Sequence, residues 1–191
     1  MIDEIAEKGE VDMAWDFARV FPVRIFMGMM GFPKEMFDDF LEWEWNILHS
    51  GELEKMQWAL SSVLKFLRGF IAEKEENPDE FLTSSIVHGK IQGRRFTEDE
   101  KIGMVWFLWL GGLDTVAATI AQMYRRMALQ PELQKQLREN PELINGAVEE
   151  FLRTQPILSS ARTATKDFEW HGIQVKKGGS FSCLNPAGNF D

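Results

Sequence analysis

The sequence predicts a mainly α fold with a small antiparallel β unit near its C-terminus. Three observations carry that prediction. Apolar residues recur at three- and four-residue spacing from Val11 to Gln155. Proline, glycine and capping residues divide this stretch into helices. After Pro156 the pattern changes to short alternating runs set off by His171-Gly172 and Lys177-Gly178-Gly179.

From Val11 to Met30 the helical face is Met13, Phe17, Val20, Val23, Phe26, Met27 and Met30, with Pro22 expected to break or kink it. Gly31 is a C-terminal cap. Pro33 suits the first turn of a helix over Lys34 to His49, whose apolar face is Met36, Phe37, Phe40, Leu41, Trp45 and Leu48. Ser50-Gly51 breaks the chain before a long amphipathic helix from Glu52 to Glu76, which stops at Asn77-Pro78. A shorter helix follows over Asp79 to Val87, then a turn or hairpin over Gly89 to Arg95. Thr97 and Glu100 form a capping box that opens a helix running to about Leu129. Pro131 and Pro141 each open another, the second with Asn140 as its cap. Helical structure thus covers 11–155, and the β unit 161–183. The closing Asn185 to Asp191 is turn chemistry that leads onward, and the chain reads as truncated.

The composition narrows function. Thirty acidic against 21 basic residues leave a net charge of -9, which argues against nucleic acid as a partner. The only cysteine, Cys183, precludes an internal disulfide framework and favours a reducing compartment; it is expected to be a buried or strand thiol. Met1 to Glu10 carries five charges and no apolar run, so a cytoplasmic protein is expected. His49, His88 and His171 fall on different elements without a metal-ligand spacing, and no metal site is expected from them. Trp43, Trp45 and Trp58 suit core or interface packing.

The segment Ile102 to Met123 holds a single charged residue, Asp114. It reads as a buried core helix. Its length also meets the roughly 20 residues of a membrane span, but a central carboxylate opposes insertion. Its centre is Gly111-Gly112-Leu113-Asp114-Thr115. Two glycines within a helix cost about 1 kcal/mol each relative to alanine, so a close backbone approach or a ligand must compensate. Gly111 and Thr115 share a face, which leaves a polar notch in an apolar wall. Asp114, turned by about 100°, stands behind it. The layout suits proton delivery to a ligand. Helix packing at the glycines explains it equally well.

These five residues resemble the central-helix signature of the cytochrome P450 family. Glu150-Phe151-Leu152-Arg153 is similar to that family's Glu-x-x-Arg motif, in the right order and at the usual distance. The β unit around Phe168 to Ile173 and Lys176 to Gly178, and the run Phe21 to Met27, add to the likeness, which is nearest to the soluble bacterial class and its camphor hydroxylases. The chain resembles the central portion of that fold, a single partial domain without the N-terminal sheet and the C-terminal haem-ligand region.

The resemblance implies a haem cofactor and a monooxygenase that inserts one atom of dioxygen into an apolar, terpene-like substrate. Electrons would come from a ferredoxin-type partner. By the same resemblance Gly111 and Gly112 form the groove for dioxygen, Thr115 hydrogen-bonds the bound oxygen and Asp114 relays protons. Arg162 pairs with a haem propionate, and Phe107, Leu110 and Leu158 line the substrate pocket. Glu150 and Arg153 are structural, held by a third partner beyond residue 191. The family's cysteine loop, Phe-x-x-Gly-x-His/Arg-x-Cys-x-Gly, does not occur, since Cys183 lacks the glycines and comes too soon; the iron ligand is expected outside this chain, which alone would be inactive and poorly stable. Ser160 replaces an acidic residue found near Arg162 in the nearest relatives, which opens the substrate question. A helical binding module that has lost haem chemistry is the alternative, and a membrane-associated helical protein the third.

Overall fold

The computed structural model describes residues 1–190, which form two compact units, Met1–Ile120 and a second beginning at Ala121. In the first, α1 (Ile2–Lys8) ends at Gly9 in the left-handed region. Asp12 then caps a π-helical turn over Met13–Ala18, its Oδ1 accepting from the amides of Ala14 (2.9 Å) and Trp15 (3.1 Å). α2 (Val20–Met30) follows. The periodic stretch is therefore divided at Arg19, and Pro22 lies in the first turn of α2. A first-turn amide has no partner within the helix, so proline is tolerated there and does not kink it. Gly31 caps α2 at φ 74, as expected.

After a 3-10 turn over Lys34–Met36 come α3 (Phe37–Leu48) and α4 (Leu53–Glu76). α5 (Leu82–His88) starts three residues later than the sequence suggests. The cause is Asp79, whose Oδ1 accepts from Phe81 N (3.1 Å) and Ser84 Oγ (2.6 Å) and so stabilises a loop in place of a helical turn. β1 (Lys90–Ile91) and β2 (Arg94–Arg95) pair antiparallel. Their turn residues Gln92 and Gly93 both have positive φ, the geometry of a tight hairpin.

The expected capping box is present. Thr97 Oγ1 accepts from Glu100 N, and the Glu100 carboxylate accepts from Thr97 N at 2.8 Å. Arg94 adds a bidentate pair to Glu100, both contacts 2.7 Å, which holds its carboxyl down at about 2. A carboxyl depressed in the fold stabilises it above its unfolded value and loses that contribution as pH falls through about 2. The protection factors of the amides of Glu98 to Lys101, relative to the intrinsic rate at each pH, are accordingly expected to fall in acid. Glu100→Gln should show the lower protection already at neutral pH; equal protection in the two proteins would refute this role.

α6 (Glu98–Gly112) does not run unbroken to Leu129. The helix is interrupted at Leu113 (φ -103, ψ -79) and resumes as α7 (Asp114–Leu129). Thr115 Oγ1 donates to Gly111 O and Thr119 Oγ1 to Thr115 O, each at 2.7 Å. Hydroxyls that engage carbonyls one turn back compete with the backbone ladder and bend helices. Glycines at the same place offer little resistance.

The core of this unit is aromatic. Phe32 lies at its centre, with ring centroids 5.0 to 5.9 Å from Phe26, Phe40, Phe66 and Phe70. Trp43 is part of this core, whereas Trp45 and Trp58 are exposed. Val105, Trp109 and Leu113 carry α6 into the core. The continuous run Glu98–Leu129 is long and apolar enough to cross a membrane by length and composition. In this fold Val105, Trp109 and Leu113 pack against protein, but Met104, Phe107 and Val116 are exposed and α7 contributes no buried residue, so the expected buried core helix holds for α6 in part and not for α7.

The second unit holds α8 (Pro131–Glu139), a 3-10 turn over Pro141–Leu143, and α9 (Ile144–Thr154). Asn140 does not cap this last segment. Its amide donates backwards to Gln136 O at 2.9 Å, closing α8 instead. β3 (Ser160–Thr163) pairs antiparallel with β6 (Ser180–Cys183), and β4 (Phe168–Trp170) with β5 (Ile173–Val175) through the expected His171-Gly172 turn. Phe168 stacks on Phe181 at 5.7 Å and ties the two pairs together. Cys183 is a strand residue, as expected, but exposed and not buried. Asn185–Asn189, read as turn chemistry, forms a short α10 with Pro186 in its first turn. Asp191 lies outside the described residues.

Candidate functional site

The break between α6 and α7 gathers most of the site residues expected from the sequence. Gly103, Phe107 and Gly111 follow one another at four-residue spacing and are all exposed, Phe107 at 73%. Thr115 continues this face, its hydroxyl bonded to the Gly111 carbonyl. Leu110 turns away and packs partly buried against the core. The two glycines differ. A side chain on Gly111 would meet nothing within 4 Å, whereas one on Gly112 would meet Phe26 Cδ2 at 2.9 Å. Gly112 thus allows α2 to approach α6, and Gly111 alone leaves an opening on the exposed face. The helix-packing reading therefore holds for Gly112, which lies against Phe26 and not in a groove, while Gly111 has open space beside it.

Leu158 and Arg162 belong to the second unit. Leu158 is 63% exposed, and its carbonyl accepts from Asn185 Nδ2 at 2.8 Å. Arg162, exposed on β3, donates to Ala161 O at 2.8 Å and has no carboxylate partner among the described residues. Glu150 and Arg153 form a bidentate pair at 2.7 and 2.8 Å, which holds the Glu150 carboxyl below its ordinary range. Arg153 also donates to Asn189 O, accepts at its own carbonyl from Asn189 Nδ2 (2.7 Å), and lies over the Phe190 ring. Here α10 contributes a partner to the pair from within the chain.

Two features bear on a haem. An apolar helix face, open at Gly111 and carrying a hydroxyl, accommodates a flat apolar group. A guanidinium without a carboxylate is suited to an acidic substituent. Each unit thus offers residues whose chemistry suits such a group, the apolar face in the first and the Arg162 guanidinium in the second.

One constellation was not foreseen. Asp114 Oδ1 lies 3.0 Å from His49 Nε2, and Glu44 Oε1 lies 3.6 Å from the same nitrogen. Burial, and then the neighbouring Asp114, push the Glu44 carboxyl up to about 7; Arg19 and His49 pull it back. Sequence spacing gave no hint, because Asp114 is 65 residues from His49. A glutamate at a position of α3 flanked by buried Phe40 and Trp43 was the available signal.

Long amphipathic helices, a minor antiparallel sheet and a central helix broken beside a glycine pair define a mainly α fold. The solved structure of the Bacillus subtilis bacillaene polyketide synthase cytochrome P450 PksS matches all of this chain and 50% of its own, with a TM-score of 0.92 and 27% identity. The probable cytochrome P450 127A1 of Sinorhizobium fredii is 34% identical over 192 residues, covering 100% of this chain and 46% of that protein. A steroid C26-monooxygenase of Mycobacterium tuberculosis is 28% identical over 199 residues, covering 100% and 54%. The cytochrome P450 family model matches residues 17–184. This chain belongs to the cytochrome P450 family, and it spans about half the length of the curated relatives it matches.

Proposed function

We propose that this chain is the central portion of a soluble, cytoplasmic haem-thiolate monooxygenase that hydroxylates an apolar, terpene-like or comparably hydrophobic small molecule. Electrons come from a ferredoxin-type donor, and the iron's thiolate comes from sequence outside these residues. The observation that carries the proposal is the opening at Gly111 on an apolar helix face, with the Thr115 hydroxyl and the Asp114 carboxylate one turn away. The names of the steroid and polyketide relatives support an apolar substrate.

Haem, when bound, supplies the activation of dioxygen and the electron transfer. The chain's residues do the rest. Phe107 offers an exposed apolar surface to a substrate, and Leu158, in the second unit, offers another. The Arg162 guanidinium would hold a propionate. Thr115 holds its proton at Oγ1, on the Gly111 carbonyl, available for transfer to a hydrogen bond facing the notch. Asp114 takes and gives protons at its carboxylate, in contact with the part-exposed His49 and so with solvent.

The test is expression from the full reading frame, followed by reduction under carbon monoxide. A thiolate-type absorption band is expected. A haem-free protein, or a band without thiolate character, would overturn the proposal and favour a binding module that has lost its chemistry.

A further inference from the structure

We propose that Glu44, His49 and Asp114 form a binding site for one zinc-type divalent metal ion, which clips the C-terminal end of α3 to the break between α6 and α7. The three side chains each offer a ligand atom, and these atoms all lie within 4.8 Å of one another. His49 Nε2 is 3.0 Å from Asp114 Oδ1 and 3.6 Å from Glu44 Oε1. A tetrahedral ion with bonds of about 2.0–2.1 Å holds its ligand atoms roughly 3.3 Å apart. Against that spacing the His49–Asp114 contact is short, the Glu44–His49 contact long, and the remaining pair lies within 4.8 Å, so an ion would draw the three side chains into a more even triangle.

A second observation points to a missing ligand. Glu44 is 5% exposed, and its Oε2 is buried without a hydrogen-bond donor. A buried carboxylate left in that state is costly, and native structures avoid it. The nearest cation, Arg19, stays 3.9 Å away on the Oε2 side. It is committed elsewhere, donating to Leu41 O at 3.1 Å with its guanidinium against the paired rings of Trp15 and Trp45. Oε1 faces the His49 imidazole at 3.6 Å, and the carboxyl also meets that of Asp114.

The ligand set indicates the class of ion. Two carboxylates alone would suit magnesium or calcium, but an imidazole between them favours zinc, cobalt or nickel. The Trp45 ring packs 4.9 Å from the imidazole and orients it. His49 and Asp114 are part-exposed, so an ion can enter and a fourth position stays open to water. The test of this inference requires no haem turnover, so its failure and that of the oxygenase reading are distinguishable; with an ion bound, Asp114 is a ligand and does not relay protons.

The test is equilibrium dialysis of chelator-stripped protein, expressed from its full reading frame, against micromolar zinc, with bound metal measured by elemental analysis. One equivalent is expected. His49→Gln and Asp114→Asn should each weaken binding at least tenfold, and Glu44→Gln should do the same. His88→Gln and His171→Gln should leave it unchanged. Helical circular dichroism verifies that each variant is folded; His49 and Asp114 are part-exposed, so their variants keep the test open if Glu44→Gln does not fold. Failure of the unaltered protein to retain zinc would overturn the site. So would zinc binding that survives in folded His49→Gln, or binding that His88→Gln weakens as much.

Discussion

Asp114→Asn in the full-length enzyme is expected to lower product turnover by about 10²–10⁴-fold, the range for losing a positioned general acid, while haem binding and substrate KM stay near those of the unaltered protein. Asparagine keeps the shape of aspartate and can still meet His49 Nε2, so the break between α6 and α7 should persist. It cannot carry a titratable proton. If Asp114 serves only to strap α7 to α3, through its 3.0 Å contact with His49, then Asp114→Asn and His49→Gln should lower the unfolding temperature alike and leave turnover alone. A proton-delivering role predicts instead a loss in kcat and a larger solvent isotope effect. Unchanged kcat in a folded, haem-loaded Asp114→Asn protein would exclude that role.

Much of the fold was legible because its signals are local. Gly31, the Thr97–Glu100 capping box and the His171-Gly172 turn each act over a few residues, and each occurs where the sequence places it. The errors arose where a side chain had two local options. Asp79 chose a loop, Asn140 closed the helix behind it, and Thr115 engaged Gly111 O and helped divide one long helix in two. Nothing in a one-dimensional pattern ranks those options, since their energies differ by about the 1 kcal/mol of a single hydrogen bond.

The candidate site was legible in its parts. The notch at Gly111 and Thr115 follows from helical spacing. The division of labour between Gly111 and Gly112 does not, because it depends on Phe26 of α2 lying against one of them. The gathering of Glu44 and His49 around Asp114 is more remote still, being set by how α3 packs. Family resemblance supplied the roles of Arg162 and of the Glu150–Arg153 pair, which isolated spacing could not. For that pair the structure adds the contacts from Asn189 and Phe190.

Gly31→Ala is expected to destabilise the first unit by about 2–4 kcal/mol, combining the roughly 1–2 kcal/mol of a left-handed non-glycine residue with the cost of overpacking. The backbone there has φ 74, and an added Cβ would stand 2.6 Å from two Phe81 ring carbons and 2.8 Å from Phe81 Cβ. Gly9 provides the comparison, because its φ of 73 is nearly the same and nothing lies within 4 Å of its added Cβ. Gly9→Ala should therefore show only the backbone contribution, and less of it, since α1 contributes no buried residue. Urea unfolding at constant m-value measures both. The steric part can be isolated by adding Phe81→Ala, which removes the ring that the new methyl would strike; the double variant should be less destabilised than the two single changes summed. Strict additivity would mean that Gly31 is needed for its dihedral angles alone. The close approach of Phe81, which fixes the start of α5 against the end of α2, would then have to yield at little cost, and Thr83 Oγ1 would lose the geometric reason for its buried 2.8 Å bond to Met30 O.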